Sequence, residues 1–240
     1  MCDQKNMKKI YVTTLLLGLM SMSTFVNAQN SDSLTFVDVE LRKNVTIYQL
    51  ATQFNDPAVA RMALYNVLIY TNNQSAVLDS MAMLYYNMNQ MPSVALVTKE
   101  NLMINPNNQT ALELGGIAFN QLGAKDQALE NYESLFNKNN DSRTLYQVAI
   151  LQFELKRNIE AANSLDLLLT KTDIDGLKMG FDKLDKSRQE VSMRAAALNI
   201  KGMIAKANGD TPKAKATFLE ALKAAPGFEL AQLNLSKADK

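Results

Sequence analysis

The 240 residues contain no histidine and no tryptophan, and cysteine occurs once, at position 2. Without imidazole the chain has no histidine general base and no His/Cys metal site, and with its one thiol at Cys2 it offers no cysteine nucleophile within the body of the protein. Any catalysis would rest on carboxylates, Lys, Tyr or Ser/Thr. Glycine (9) and proline (5) are scarce, and long Leu/Ala-rich segments favour helices over sheets. No charge sign dominates: 25 basic against 24 acidic residues give a net +1. That balance argues against nucleic acid and against a strongly cationic partner. What is present is a globular composition, 47% hydrophobic and 20% charged with 13 methionines, long enough for one or two domains with a core.

The first stretch reads as an address. From Met7, "MKKIYVTTLLLGLMSMSTFVNA" has a positive start at Lys8 and Lys9, an apolar run from Ile10 to Val26, and a small-residue site at Val26-Asn27-Ala28. This is the pattern of a secretory signal peptide, residues 1–28, cut after Ala28. As a membrane anchor the run is interrupted by Thr and Ser and ends on a cleavage-like site. Cys2 lies on the wrong side of the run for a lipoprotein, and "MCDQKN" leaves Met1 and Met7 as alternative starts. Removing Lys5, Lys8, Lys9 and Asp3 leaves 22 basic and 23 acidic residues, net −1 and no cysteine. Such an exported protein needs no disulfide machinery. No later segment is long and apolar enough to span a bilayer.

The rest of the chain repeats itself. Turn residues Asn89, Gly123, Lys156 and Gly209 are each followed five positions later by Val94, Ala128, Ala161 or Ala214. Seven positions before each turn stands another small residue: Ala82, Gly116, Ala149 or Gly202. Tyr85, Phe119 and Phe153 precede three of the turns. The spacings are 34, 33 and 53, so about 20 residues are inserted in the last interval. Stepping back 34 lands on Asn55, followed by Asp56 as a helix cap and Pro57 in a first turn. Each unit reads as two antiparallel helices that cannot bury a core alone and therefore stack.

The segments "AALNIKGMIAKANGDTPKAKATFLEALKAAPGF" and "TALELGGIAFNQLGAKDQALENYESLF" resemble the tetratricopeptide repeat (TPR) family. The resemblance runs over about 41–238. It departs from the family in having no Trp, Val94 for the usual Ala and Lys156 for the usual Gly. It implies an all-α, right-handed superhelical stack of antiparallel helix pairs, a TPR-like α-solenoid. The expected units are 41–74, 75–108, 109–141, 142–175 and 195–226, after an N-terminal segment 29–40. An insert, 176–194, interrupts them, and a capping helix over 227–240 closes the stack. Within the insert, Met179, Phe181, Val191 and Met193 alternate around a charged middle, which fits a small β-hairpin near 177–193, a longer helix or an irregular loop.

The resemblance also implies that first helices line a concave face. Projected from the register, that face carries Asp79, Met83 and Tyr86, then Glu113, Ile117 and Asn120, then Tyr146, Ile150 and Phe153, and finally Asn199, Met203 and Lys206. Met83, Ile117, Ile150 and Met203 make an apolar row, with aromatic and amide groups beside it, suited to a peptide or helix of mixed character. The competing reading packs these same residues against neighbouring helices or against the chain's own N-terminal segment. Asp79 and Glu113 argue against a clamp for acidic peptide termini. Asp182, Asp185 and Glu190 form a carboxylate cluster, but Lys183 and Lys186 interleave it in a polar segment, which is the pattern of a solvated surface more than of a hydrolase. Asp32-Ser33-Leu34 resembles short O-glycan acceptor sites of Bacteroidetes, and "NAQ" resembles the ends of signals there.

No phosphate loop, metal-ligand spacing or cofactor motif occurs. The expected function is a non-enzymatic scaffold of the periplasm or cell envelope that binds a protein or peptide in its concave face, without cofactor, nucleic acid or transmembrane segment. The alternative is a structural or regulatory subunit of an envelope complex, contacting partners through its convex face or the insert.

Overall fold

The computed structural model describes residues 34–238. The leader, Cys2 and most of the Asp32–Leu34 motif lie outside them. Among the described residues are eleven α-helices and one two-stranded antiparallel ribbon. The chain divides at Gly123 into two compact units. The first holds α1 (Phe36–Gln53), α2 (Pro57–Thr71), α3 (Ser75–Asn87), α4 (Met91–Ile104) and α5 (Gln109–Gln121). The second begins with α6 (Lys125–Asn139), α7 (Ser142–Glu154) and α8 (Asn158–Thr170). It continues through β1 (Lys178–Asp182) and β2 (Arg188–Ser192) to α9 (Met193–Ala207), α10 (Thr211–Ala224) and α11 (Glu229–Ser236).

The first helix starts five residues ahead of Leu41, inside the segment expected to precede the repeats. The cause is local. The Asp38 amide donates to the Thr35 hydroxyl at 3.2 Å, and the Thr35 amide donates back to the Asp38 carboxylate at 3.1 Å. This capping box satisfies two of the donors that a helix start leaves open. The Thr35 side chain and then its backbone hold the Asp38 carboxyl below its ordinary range.

The five turn residues that set the register share one conformation. Asn55, Asn89, Gly123, Lys156 and Gly209 have φ of 55°, 56°, 77°, 61° and 78°. At four of these turns the next amide closes the preceding helix. Asp56 donates to Ala51 at 2.7 Å, Gln90 to Tyr85 at 2.9 Å, Arg157 to Gln152 at 2.8 Å and Asp210 to Ala205 at 2.9 Å. This is the left-handed helix stop that Gly and Asn adopt cheaply, and at Lys156 it costs about 1 kcal/mol.

With only three residues between them, paired helices approach closely. Val94, Ala128, Ala161 and Ala214 are fully buried. Gly202 on α9 lies close against Phe218 on α10, where an added Cβ would stand 2.5 Å from the ring. Large side chains fill what the small ones leave. Leu64, Met81, Tyr85 and Leu114 build the core of the first unit, and Leu145, Leu165, Leu168 and Phe228 that of the second.

The insert folds as the hairpin. Met179 pairs with Val191 and Phe181 with Gln189, and these four side chains turn inward while Lys178, Asp182, Arg188 and Glu190 face out. The inner face braces the C-terminal helix. The Phe181 and Phe228 rings lie 4.8 Å apart, tilted by 53°, a pairing worth about 1 kcal/mol beyond its burial. The Leu184 amide donates to Glu229 at 2.8 Å. At the base, Arg194 pairs with Asp175 at 2.6 Å and donates to the Leu169 carbonyl at 3.1 Å, tying the insert to the end of α8. On the outer face, Asp182 lies 3.8 Å from Arg188, and Asp185 lies 3.6 Å from Lys183 and accepts from Ser187. The Ser187 hydrogen bonds push the Asp185 carboxyl down, opposite to the shift a general acid needs.

The Gly202 contact yields a test. Gly202→Ala gains about 1 kcal/mol of helix propensity but must push aside a rigid buried ring 2.5 Å away, at about 2–3 kcal/mol, the upper part of the usual overpacking range. We expect a net loss of about 1–2 kcal/mol in urea denaturation, recovered in part by adding Phe218→Leu. A neutral or stabilising Gly202→Ala would show that α9 and α10 are not held at this distance.

Candidate functional site

In the first unit α3 and α5 lie in contact, and they present Met83, Tyr86, Ile117 and Asn120, all half-buried. Glu113 is half-buried on the same helix as Ile117. Asp79 has a different role. Its carboxylate accepts from the Asn101 amide at 2.7 Å and from the Asn108 amide at 2.9 and 3.0 Å. The Ser75 hydroxyl donates to the Asn101 oxygen at 2.6 Å, and Asn101 is fully buried. Asn108 also caps α5, accepting from the Ala111 amide at 2.9 Å. One carboxylate thus fastens α3, α4 and the start of α5 together, and it is committed to the frame.

Burial raises the Asp79 carboxyl above its ordinary range, and the Asn108 and Asn101 hydrogen bonds offset this only in part. The charged form is therefore the less favoured one in the fold. The site's stability contribution is greatest below the unfolded value, near 3.8. It falls as pH rises towards the folded value and is level beyond it.

In the second unit the projected residues separate into two groups. Tyr146 is buried in the core beside Leu145 and Ala149, and loss of water drives its phenol well above its usual range. Asn199 is also buried, and its oxygen accepts from the Asn234 amide at 2.9 Å. Neither side chain is presented to a partner: a first helix has two flanks as well as a face, and these positions sit on a covered side. Ile150 is half-buried at the core's edge. Phe153, Met203 and Lys206 do come together, with Ala207, Phe218 and Asn234, around an open depression of about 360 Å³. The Lys206 ammonium donates to the Lys237 carbonyl. The C-terminal segment thus already satisfies part of the last first-helix surface.

Spacing alone does not single out Asn101 and Asn108. Asn108 carries a readable signal, an amide just ahead of an apolar-periodic run, but its bond to Asp79 spans 29 residues. Among the described residues no group of three or more His, Cys, Asp or Glu side chains is placed to hold a metal ion. No helix there is long and apolar enough to cross a membrane.

No protein-family model matches the chain, and no curated protein matches it. Solved structures do. YrrB, described as a TPR protein with an unusual peptide-binding site, superposes with a TM-score of 0.65 at 13% identity, over 85% of this chain and all of its own. A tetratricopeptide repeat protein from Parabacteroides merdae gives 0.60 at 16% identity, over 83% of this chain and 72% of that one. MamA from Desulfovibrio magneticus gives 0.58 at 14% identity, over 82% and 99%. At these identities the likeness is one of fold, and the fold is TPR-like.

The Asp79 cluster predicts a pH signature. The stability of wild type relative to Asp79→Asn should fall as the pH rises from the unfolded value of 3.8 towards the raised folded one, and the Asp79 carboxyl should titrate above its ordinary range in a carbon-detected NMR titration. A difference that is flat or rises over that range would mean that the hydrogen bonds outweigh burial.

Proposed function

We propose that this protein is an exported scaffold that binds a protein or peptide along the exposed side of its first helices. The observation that carries the reading is the set of half-buried, largely uncharged side chains there: Met83, Tyr86, Ile117 and Asn120 in the first unit, Phe153 and Met203 in the second. Thioether and aromatic groups give adaptable contact area, and the amide fixes hydrogen-bond register. These side chains stand on helices already held by their own cores, so little order is lost on binding. The likeness to a peptide-binding TPR protein supports the same reading. The role is non-catalytic: the chain lacks imidazole throughout, and the acidic cluster of the hairpin is exposed to solvent. Periplasm or envelope is the proposed location, on the strength of the leader 7–28. Mass spectrometry of the secreted form should find Gln29 as its first residue; retention of residues 10–26 would make the segment an anchor.

The binding test is a cross-linked pull-down from envelope extract with wild type and a Tyr86→Ala/Phe153→Ala variant. The expected result is a protein recovered by wild type and lost by the variant, with helicity unchanged by circular dichroism. Equal recovery would move the contact elsewhere. The alternative, docking through the insert, draws on Leu184, exposed at the hairpin tip. It is tested by Leu184→Glu. Deleting 176–190 would also remove the Phe181–Phe228 brace and loosen the C-terminal helix.

A further inference from the structure

The outward side of α2 differs from that of α6 and α8. Positions four, seven, ten and fourteen beyond each left-handed turn residue fall on the solvent side of the second helix of a pair. In α6 these are Gln127, Glu130, Glu133 and Asn137, and in α8 Glu160, Asn163, Asp166 and Thr170. All eight are polar. In α4 and α10 the same positions mix apolar residues with lysine. In α2 they are Val59, Met62, Tyr65 and Ile69, exposed by 43%, 62%, 46% and 76%. Tyr65 turns its hydroxyl inward, 2.8 Å from that of Tyr85, and so presents its ring. The helix has 15 residues and a single charge, Arg61. A helix apolar on every side belongs in an interior, and its own fold supplies one side only.

We propose that this face is the pairing surface of a homodimer, in which two copies of the chain pack α2 against α2 about a two-fold axis. A two-fold contact sets a surface against itself, so like charges near the axis repel, and an uncharged stripe meets its own copy without that penalty. The stripe Val59, Met62, Tyr65 and Ile69 has no charge to oppose. With the axis near Leu64 the helices run antiparallel, and at 1.5 Å per residue the two Arg61 side chains are offset by about 9 Å, roughly a Debye length. A lipid surface of anionic headgroups would call for several cations beside the apolar stripe, and α2 supplies one. The four side chains offer on the order of 400 Å² of apolar area, the size of patch that marks an interaction site. A stable pair commonly buries about 800 Å² on each partner, so the stripe is about half an interface and its polar rim the rest. Dimerisation should therefore depend on concentration.

The secreted form of the protein should pass from monomer to dimer in sedimentation velocity between about 1 and 100 µM. Met62→Glu/Ile69→Glu should remain monomeric throughout with unchanged helicity. Met62→Cys should give a cross-linked dimer with a bismaleimide. Ala216→Cys, at the same register position of α10, should not. A wild type that stays monomeric over the range overturns the pairing, as does a dimer that survives the double substitution or fails to cross-link at position 62. A monomer that floats with phosphatidylcholine vesicles and loses them on the same substitutions would assign the face to a membrane and overturn it too.

Discussion

One backbone constraint sets the geometry within both units: the helix pairs α1–α2, α3–α4, α7–α8 and α9–α10 each turn on a residue held at positive φ. At four of the turns the amide that closes the first helix belongs to the residue that starts the second. Only three residues separate them, so the helices run antiparallel and touch along their length. Contact at that distance leaves no room for long side chains at the crossing. Alanine, valine and glycine therefore occupy it, and the volume they give up is filled by Phe218, Leu129, Leu145 and Leu165. Lys156 shows the order of command: a residue ill suited to the left-handed region adopts it because the Arg157–Gln152 hydrogen bond and the packing of α7 on α8 over-determine the turn.

This dependence explains what could be read from sequence. The turns and small residues obey a near-constant spacing because backbone geometry repeats, so Asn55 and Lys156 could be placed without Gly at either. The alternation of Met179, Phe181 and Val191 is likewise a backbone property, though a five-residue strand is too short for periodicity alone to decide between ribbon and loop. Register also gives the angle of a side chain around its helix. It does not say what lies beyond. Tyr146 and Asn199 share the register of the half-buried Asp79 and Glu113, and both are covered. Asp79 looks like a groove carboxylate until Asn101 and Asn108, 22 and 29 residues away, are seen to reach it.

Burying Asp79 is a costly way to fasten helices, since an apolar residue in its place would avoid the desolvation that raises its carboxyl. What it supplies is direction. A carboxylate that accepts from two amides at once is satisfied only when α3, α4 and the start of α5 stand in a single arrangement. An apolar contact tolerates sliding. The Asn199–Asn234 bond fixes α11 on α9 in the same manner, with Ala231 and Phe228 supplying the burial. In both units the polar bond chooses the register and the apolar contacts supply most of the stability.

The side chains that stay partly open to solvent divide by helix. First helices keep Met83, Tyr86, Ile117 and Asn120 half-open, a mixture that makes weak, adaptable contacts and is safe in water. The second helix α2 keeps a continuous apolar stripe that is not. The positions concerned are the same solvent positions that α6 and α8 fill with Gln, Glu, Asn, Asp and Thr, so the repeat itself supplies the comparison: the backbone tolerates polar residues there, and α2 lacks them. Because the half-open side chains and the apolar stripe stand on different helices of the first unit, pairing through α2 leaves α3 and α5 free. A paired scaffold would then present two copies of the same binding side, and a bivalent partner would be held more tightly than either contact alone provides.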